Sequence, residues 1–365
     1  MEAYVGLDVH SKSSVFVMQS TAGRVRARGE VLTTPEGFAR LRDEYRVPAR
    51  TCVALETGTM AFYVARQLQA LDLVPVVIDA REVRLKAHRP GQKSDRRDAF
   101  ELCDGLRRDI YRAIVHVPPL AISELRETLS RRRHFVRLQG AQRSAVKRLL
   151  RAAGLARLVR TLSTDAAWTQ LFDALPSDPL LRSYIEDHHT VWRCARAQVV
   201  RLERLLAEHQ KPLRSMIARL ETVPGVGPIV ALTALAAFSD IQRFPSAKHA
   251  ASYVGLVPTT HQSGDYDHHG HITKHGSTEF RAMLCEAAHQ ARRPNNPFNP
   301  YFTRLCARRG YQRAVIALAH RLCRVMFAML RDDVDFNIDK LGVEEGPFRR
   351  VVTRRYRLKP FAHAL

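Results

Sequence analysis

The sequence predicts a mixed α/β amino-terminal domain, a long-helix arm and a mainly α-helical carboxy-terminal domain. Three observations carry this. Short β-rich runs separated by tight polar breaks fill the first quarter, with helical segments between them from Pro35 onward. After Pro118 and Pro119 the pattern changes to long stretches with apolar residues on one helical face. Past Thr222, apolar helical segments resume around a Pro-Gly-Val-Gly turn. With 365 residues, 45% of them hydrophobic, the chain can build two or three domains with real cores. The expected boundaries are 1–117, 118–220 and 221–342, with a basic tail over 343–365.

The first domain reads as follows. Residues 3–9, 14–20 and 24–31 are β-rich, and Gly23 marks a turn, so they form an antiparallel meander. Pro35 opens a helix running to about residue 45, with Phe38 and Leu41 on one face. Residues 51–56 are an apolar strand ending on Glu56. A helix over 59–71 and a strand over 74–79 follow. Residues 81–97 are basic and contain Pro90-Gly91. Ser94 then suits the N-cap of a helix carrying Asp95, Asp98 and Glu101.

Three antiparallel strands, helix, strand, helix, strand, helix is the ribonuclease-H-like order. It puts Asp8 and Glu56 at the ends of adjacent strands and Asp95 and Asp98 three apart on one helix face. Carboxylates converging from distant points repel unless a metal neutralises them. Two Mg²⁺ ions about 4 Å apart would activate a nucleophile and stabilise a leaving oxygen on phosphorus. Singly, each acid has an ordinary use as a turn or first-turn helix residue; the set carries the signal. Glu101 and Asp104 continue the helix, and Asp79, another strand-end acid, stays open. Arg81, Arg84, Lys86, Arg89, Lys93, Arg96 and Arg97 flank the acids and suit a nucleic-acid backbone; a solvated charge run is the plainer alternative.

The arm holds Leu125, Leu129, Val136 and Leu149 on one helical face, laced with arginine, and a second helix over about 184–220. Together they suggest a helical hairpin or coiled coil. Between them Trp168, Phe172, Pro176 and Pro179 mark a less regular segment. In the third domain, Thr222-Val-Pro-Gly-Val-Gly reads as a helix-hairpin-helix turn, with Gly225 and Gly227 offering backbone N–H groups to a phosphate. A plain packing corner is the alternative. Residues 251–281 are rich in Gly, Ser, Thr and His. Ser263-Gly264 is a candidate nucleophile, and Lys274 and Arg281 are candidate phosphate ligands. The histidines His261, His268, His269, His271 and His275 lack cysteine partners and standard zinc spacing.

Lys plus Arg number 58 against 36 Asp plus Glu, a net charge of +22, which favours polyanions and salt-sensitive binding. An arginine-rich genome would give the same balance. The six cysteines form no CxxC pair and suit reduced thiols. The amino terminus lacks a leader-like apolar run, and no run of 18 or so uncharged apolar residues suggests a membrane span. The expected location is the cytoplasm, on the nucleoid, with no membrane partner.

Taken jointly, Gly-Leu-Asp8-Val-His, Leu-Glu56-Thr-Gly, Lys-Ser-Asp95-Arg-Arg-Asp98-Ala, Val-Pro-Gly225-Val-Gly227, and Gly-Leu-Val-Pro followed by Ser263-Gly and Gly-His-Ile-Thr-Lys274-His-Gly resemble the bridge-RNA-guided transposases of circularising insertion sequences. The resemblance covers about residues 3–331. It implies a RuvC-like domain whose metal-binding carboxylates match Asp8, Glu56, Asp95 and Asp98, and a catalytic serine matching Ser263. It further implies Mg²⁺ (or Mn²⁺), a covalent 5′-phosphoserine link, donor and target DNA, a structured noncoding guide RNA, and a tetramer assembled from dimers. The histidine-heavy Asp267-His-His-Gly-His run departs from the basic residues expected there. Two other readings fit the residues: a metal-dependent, structure-specific DNA nuclease without a covalent intermediate, and a non-catalytic basic RNA- or DNA-binding protein.

Overall fold

Alternation along the first strand decides how the first sheet is covered. In β1 (Ala3–Val9), Ala3, Val5 and Leu7 are fully buried and face one layer of helices. Gly6 and Asp8 therefore face the other. The computed structural model describes residues 3–86, 94–263 and 266–341, with backbone alone over 260–269. It divides into two units, Met1–Pro119 and Leu120–Leu365.

The first unit is mixed α/β. β1, β2 (Ser13–Ser20) and β3 (Val25–Leu32) form an antiparallel meander. α1 (Pro35–Asp43) follows, its first turn closed by the Gly37 N–H donating to Thr34 Oγ1 at 3.1 Å. β4 (Cys52–Glu56), α2 (Ala61–Ala70) and β5 (Val74–Ile78) alternate after it. The sheet order is β3-β2-β1-β4-β5, with β1, β4 and β5 parallel. This is the arrangement expected of a ribonuclease-H-like sheet. One core joins the sheet to α1 and α2 through Phe16, Phe38, Leu41, Val64 and Leu68.

The basic stretch after β5 holds a helix that its charge hid, α3 (Ala80–Lys86). α4 (Asp95–Arg107) then lies on the opposite face of the sheet, its Leu102 packed with Ala54, Ile78 and Tyr111. Ser94 takes the N-cap position, where its carbonyl accepts from the Asp98 N–H at 2.9 Å. Its hydroxyl makes no capping bond.

The second unit is predominantly helical. α5 (Leu120–Ala152) and α7 (Pro179–Gln210) run antiparallel, as the Arg132–Glu203 and Gln142–His188 pairs require. The buried residues Ile185, Trp192, Ala195, Val199, Leu202 and Leu206 of α7 recur at spacings of three, four and seven, the pattern of a coiled-coil seam. The segment between them, irregular by sequence, contains α6 (Asp165–Ala174), capped by Thr164, with Trp168 and Leu171 buried. The helix expected over 184–220 begins earlier and breaks at Lys211–Leu213, because Pro212 supplies no N–H to continue it. α8 (Arg214–Glu221) follows the break.

α9 (Pro228–Phe238) is apolar on every side and buried from Ala231 onward, so it forms the centre of this unit's core. Around it lie α10 (Ala247–Tyr253), the two-stranded ribbon of β6 (Pro258–Ser263) and β7 (Tyr266–Ile272), α11 (Thr278–Ala291), α12 (Asn299–Arg309) and α13 (Tyr311–Asp332). Burial pushes the thiols of Cys103 and Cys323 up to about 12. Among the described residues no helix is long and apolar enough to cross a membrane.

Candidate functional site

The first candidate site grows from the missing side chain of Gly6. A methyl group there would collide with the Ala99 carbonyl and the backbone and side chain of Cys103, so glycine lets α4 lie directly on β1. The β1–β4 register pairs Gly6 with Ala54. Asp8 and Glu56 each lie two residues further, on the same face and at the same edge. β1 and α4 run in opposite senses here, which brings the first turn of α4 back towards that edge. Asp95 and Asp98 occupy this first turn, where the helix dipole favours carboxylates.

His10 joins them. Its Nε2 lies 3.1 Å from Asp8 Oδ2 and 3.4 Å from Asp95 Oδ2. Asp8, His10 and Asp95 each offer a ligand atom within 4.8 Å of the others. Glu56 and Asp98 are positioned by the same elements but stand outside this trio. Asp8 is only 8% exposed, whereas the Asp95 side chain is 57% exposed. The cluster thus has one face in the protein and one open to a substrate. Oxygen-rich donors of this kind suit Mg²⁺ or Mn²⁺, and an imidazole is compatible with Mn²⁺. That both carboxylates already converge on one point, the His10 Nε2, is the geometric fit to a shared cation.

Neighbouring acids have other work. Glu101 accepts from Arg97 at 3.1 Å and Asp104 from Arg107 at 2.6 Å. Asp79 Oδ1 accepts from the Arg81 N–H at 2.8 Å, at the start of α3.

The basic residues divide. Arg96 and Arg97, with Arg26 and Arg28 of β3, Ser94 and Phe100, line a groove of about 990 Å³ beside the start of α4. Arg84 is exposed on α3. Lys86 is turned inward: it pairs with Glu82 at 2.6 Å, donates to the Ile110 carbonyl and sits 5.9 Å from the Tyr111 ring centroid. Lys93 lies outside the described residues.

The second candidate site is the ribbon. Ser263 ends β6, and its Cα pairs with that of Tyr266 at the start of β7, so it stands at the ribbon's far end. The stem is closely built. Gly255 has φ +74 and Gly276 has φ +66; a methyl on the first would strike the His275 backbone, and on the second the Tyr253 carbonyl. Arg281 crosses the stem, donating to the Val254 and His275 carbonyls at 2.9 Å each and to Thr278 Oγ1 at 3.3 Å. Burial pushes its guanidinium pKa down. Arg281 is therefore engaged with the ribbon's own backbone. Lys274, with φ +56, is exposed at the stem.

The Val-Pro-Gly-Val-Gly turn is seated on α11. Gly225 has φ +106, and a methyl there would press on Ala287 and Ala291. The Pro224 carbonyl accepts from Asn296 Nδ2 at 3.1 Å. Gly227, the N-cap of α9, has open space beside it.

Sequence reasoning did not assign His10, Arg26 or Arg28. Each had a signal in period-two alternation: His10 follows Asp8 by two residues, and Arg26 and Arg28 alternate with Ala27 and Gly29 along an edge strand.

Comparison with known proteins finds two family matches. Residues 5–154 match a DEDD transposase model of the IS110 group, and residues 217–303 match the Transposase IS116/IS110/IS902 family. A probable family 20 transposase of Pseudomonas aeruginosa is 29% identical over 310 residues, covering 80% of this chain and 87% of that protein. The transposase for insertion sequence element IS1111A of Coxiella burnetii is 23% identical over 291 residues, 76% of this chain and 77% of its own. A pilin gene-inverting protein of Moraxella bovis is 29% identical over 160 residues, 43% of this chain and 50% of its own. The first match runs past the first unit through α5, the second lies within the second unit; together they span well over half of the chain, and the chain belongs to the IS116/IS110/IS902 family of transposases.

Proposed function

We propose that this transposase cleaves and exchanges DNA strands through a covalent 5′-phosphoserine on Ser263, with Asp8, Glu56, Asp95 and Asp98 holding Mg²⁺ or Mn²⁺. The observation that carries the reading is the convergence of Asp8, His10 and Asp95 at one sheet edge, with Glu56 and Asp98 positioned there by the ends of β4 and α4. A bound divalent ion would supply Lewis-acid stabilisation of charge on the scissile phosphate. The protein does the rest. The carboxylates would hold that ion at a fixed place on the sheet edge. Arg26, Arg28, Arg96 and Arg97 hold the adjoining backbone in the groove.

Ser263 Oγ attacks phosphorus, the O3′–P bond breaks, and the seryl proton passes to the departing O3′. An incoming 3′-hydroxyl reverses the step on a different strand and releases the serine. The phosphodiester energy is conserved, so no nucleotide cofactor enters. A relative named for inverting a pilin gene fits strand exchange better than hydrolysis. We further propose that a structured noncoding guide RNA pairs with donor and target DNA, that the active assembly is a tetramer, that Gly227 and Lys274 contact nucleic-acid backbone, and that the protein acts in the cytoplasm on the nucleoid.

The test uses the full chain with Mg²⁺, RNA recovered from cells expressing the insertion sequence, and a DNA substrate carrying the element junction. A denaturant-resistant protein–DNA adduct that requires Ser263 supports the reading. Cleavage by Ser263→Ala that leaves free ends sinks it in favour of a metal-dependent nuclease. RNA sequencing of the purified complex decides the guide.

A further inference from the structure

A basic, aromatic surface on the carboxy-terminal helices has no part in the proposed chemistry. It forms where three helix ends meet. α11 ends at Ala291 and is followed by Arg292 and Arg293; α12 closes on Arg308 and Arg309; α13 begins at Tyr311, after Gly310 at φ +80 turns the chain. Tyr311 is 44% exposed, yet its ring is held in place. Its hydroxyl lies 3.2 Å from His289 Nδ1, and the two rings stack with planes 27° apart. The Arg292 guanidinium lies 5.3 Å from its centroid.

Charge is concentrated on this surface. Some exposed arginines of this unit have acids beside them: Arg131 has Glu127, Arg182 has Glu186 and Arg331 has Asp332. Arg293, Arg308, Arg309 and Arg313 are all exposed. Among the described residues none of the four pairs with a carboxylate. The 22-residue α13 also starts without a side-chain cap, and its first internal bond is the Ala314 N–H to the Gly310 carbonyl. Its first-turn N–H groups therefore lack a side-chain cap at the helix end where Arg308, Arg309 and Arg313 are exposed, and an anion there would satisfy both.

We propose that this surface binds single-stranded nucleic acid, with a backbone phosphate at the start of α13 among Arg308, Arg309 and Arg313 and an unpaired base stacked on Tyr311. A duplex offers the phosphates but keeps its base faces inside the stack. A pre-oriented exposed aromatic beside unpaired arginines fits a strand whose bases are free. The proposal does not depend on the cleavage chemistry, and Ser263→Ala protein serves for every measurement below.

The probes are RNA and DNA strands of about 12 nucleotides carrying 5-iodouracil, and a duplex of the same sequence. On irradiation, the single strands should form an adduct mapping to Tyr311. Tyr311→Ala should weaken single-strand binding about five- to a hundredfold and leave duplex binding unchanged. Tyr311→Phe should keep both adduct and affinity. Replacing Arg308 and Arg309 by Ala should lower the slope of log affinity against log salt by about 1.4. Tighter RNA binding would identify a loop of a guide RNA as the source, and tighter DNA binding a displaced strand. Adducts that form elsewhere and spare Tyr311, or equal losses for single strand and duplex, would overturn the proposal. The adduct map and Tyr311→Phe keep the test decisive even if Tyr311→Ala melts early.

Discussion

The acid cluster and the serine ribbon are built in opposite ways. Asp8, Glu56, Asp95 and Asp98 sit at the ends of two paired strands and a helix that share one core face. Their positions follow from the sheet. Ser263 sits at the end of a two-stranded ribbon. Two strands alone are marginal in water, so this ribbon depends on its stem, where Gly255, Gly276 and Arg281 close-pack the backbone. The contrast teaches a division of labour. The carboxylates are set when the domain folds. The proposed nucleophile stands at the end of a ribbon held at its base, which suits a residue that must meet DNA.

The largest effects should separate the two regions by what they lose. Ser263→Ala should lower strand cleavage by at least ~10⁴-fold, as removal of a covalent nucleophile does. Its Mn²⁺ binding, read by electron paramagnetic resonance, should not change. Asp8→Asn should lower cleavage comparably and also lose Mn²⁺ binding. If Ser263→Ala loses the ion as well, or Asp8→Asn keeps it, the division between the halves fails.

The two stems should break differently. Gly6→Ala pushes α4 off β1 and should destabilise the first unit by about 3 kcal/mol, as overpacking does. Because α4 carries Asp95, Mn²⁺ affinity should fall with it. Gly276→Ala forces a methyl onto the Tyr253 carbonyl at positive φ and should cost about 2 kcal/mol. It should impair adduct formation while leaving Mn²⁺ binding intact. Thermal melts beside ion titrations read both.

The same contrast explains what was legible in the sequence. The sheet order and the acids at its edge could be read because strand alternation and the order of elements fix them. Ala3, Val5 and Leu7 declare one face, so Asp8 must take the other. α3 was hidden because its Arg and Lys content resembles a solvated charge run, although Glu82 and Lys86 are spaced to pair along a helix. Lys86 read as a phosphate ligand because sequence shows charge but not direction; in the fold it reaches Glu82 and the Ile110 carbonyl. Arg281 reads as a phosphate ligand in the same way; in the fold it donates to the Val254 and His275 carbonyls. The ribbon had no clear strand signal, since its residues are polar and its pairing is local. The break at Pro212 is readable from proline chemistry, but the apolar periodicity on either side of it masks the interruption.

His10 sharpens the acid side. His10→Gln keeps a polar side chain but removes the imidazole nitrogen near Asp8 and Asp95. If His10 is a ligand or orients the acids, Mn²⁺ affinity should fall about tenfold, the lower end for an outer-shell partner of a metal site. An unchanged titration would leave the carboxylates alone as the holders.

Arg281 should give the smallest effect, and it tests the ribbon's dependence on its stem most finely. Arg281→Lys keeps the positive charge but cannot span the Val254 and His275 carbonyls as the planar guanidinium does. The loss of one or two charge-assisted bonds should cost about 1–2 kcal/mol, visible as a lower melting temperature. If Arg281 aims the ribbon, the adduct-forming rate should fall several-fold while DNA affinity stays level, because the phosphate contacts lie elsewhere. If Arg281 instead grips a phosphate, affinity should fall and become less salt-sensitive, with the rate on bound DNA preserved. The two outcomes move different quantities, so one titration and one single-turnover time course decide whether this arginine serves the backbone that carries Ser263 or the DNA that Ser263 is proposed to attack.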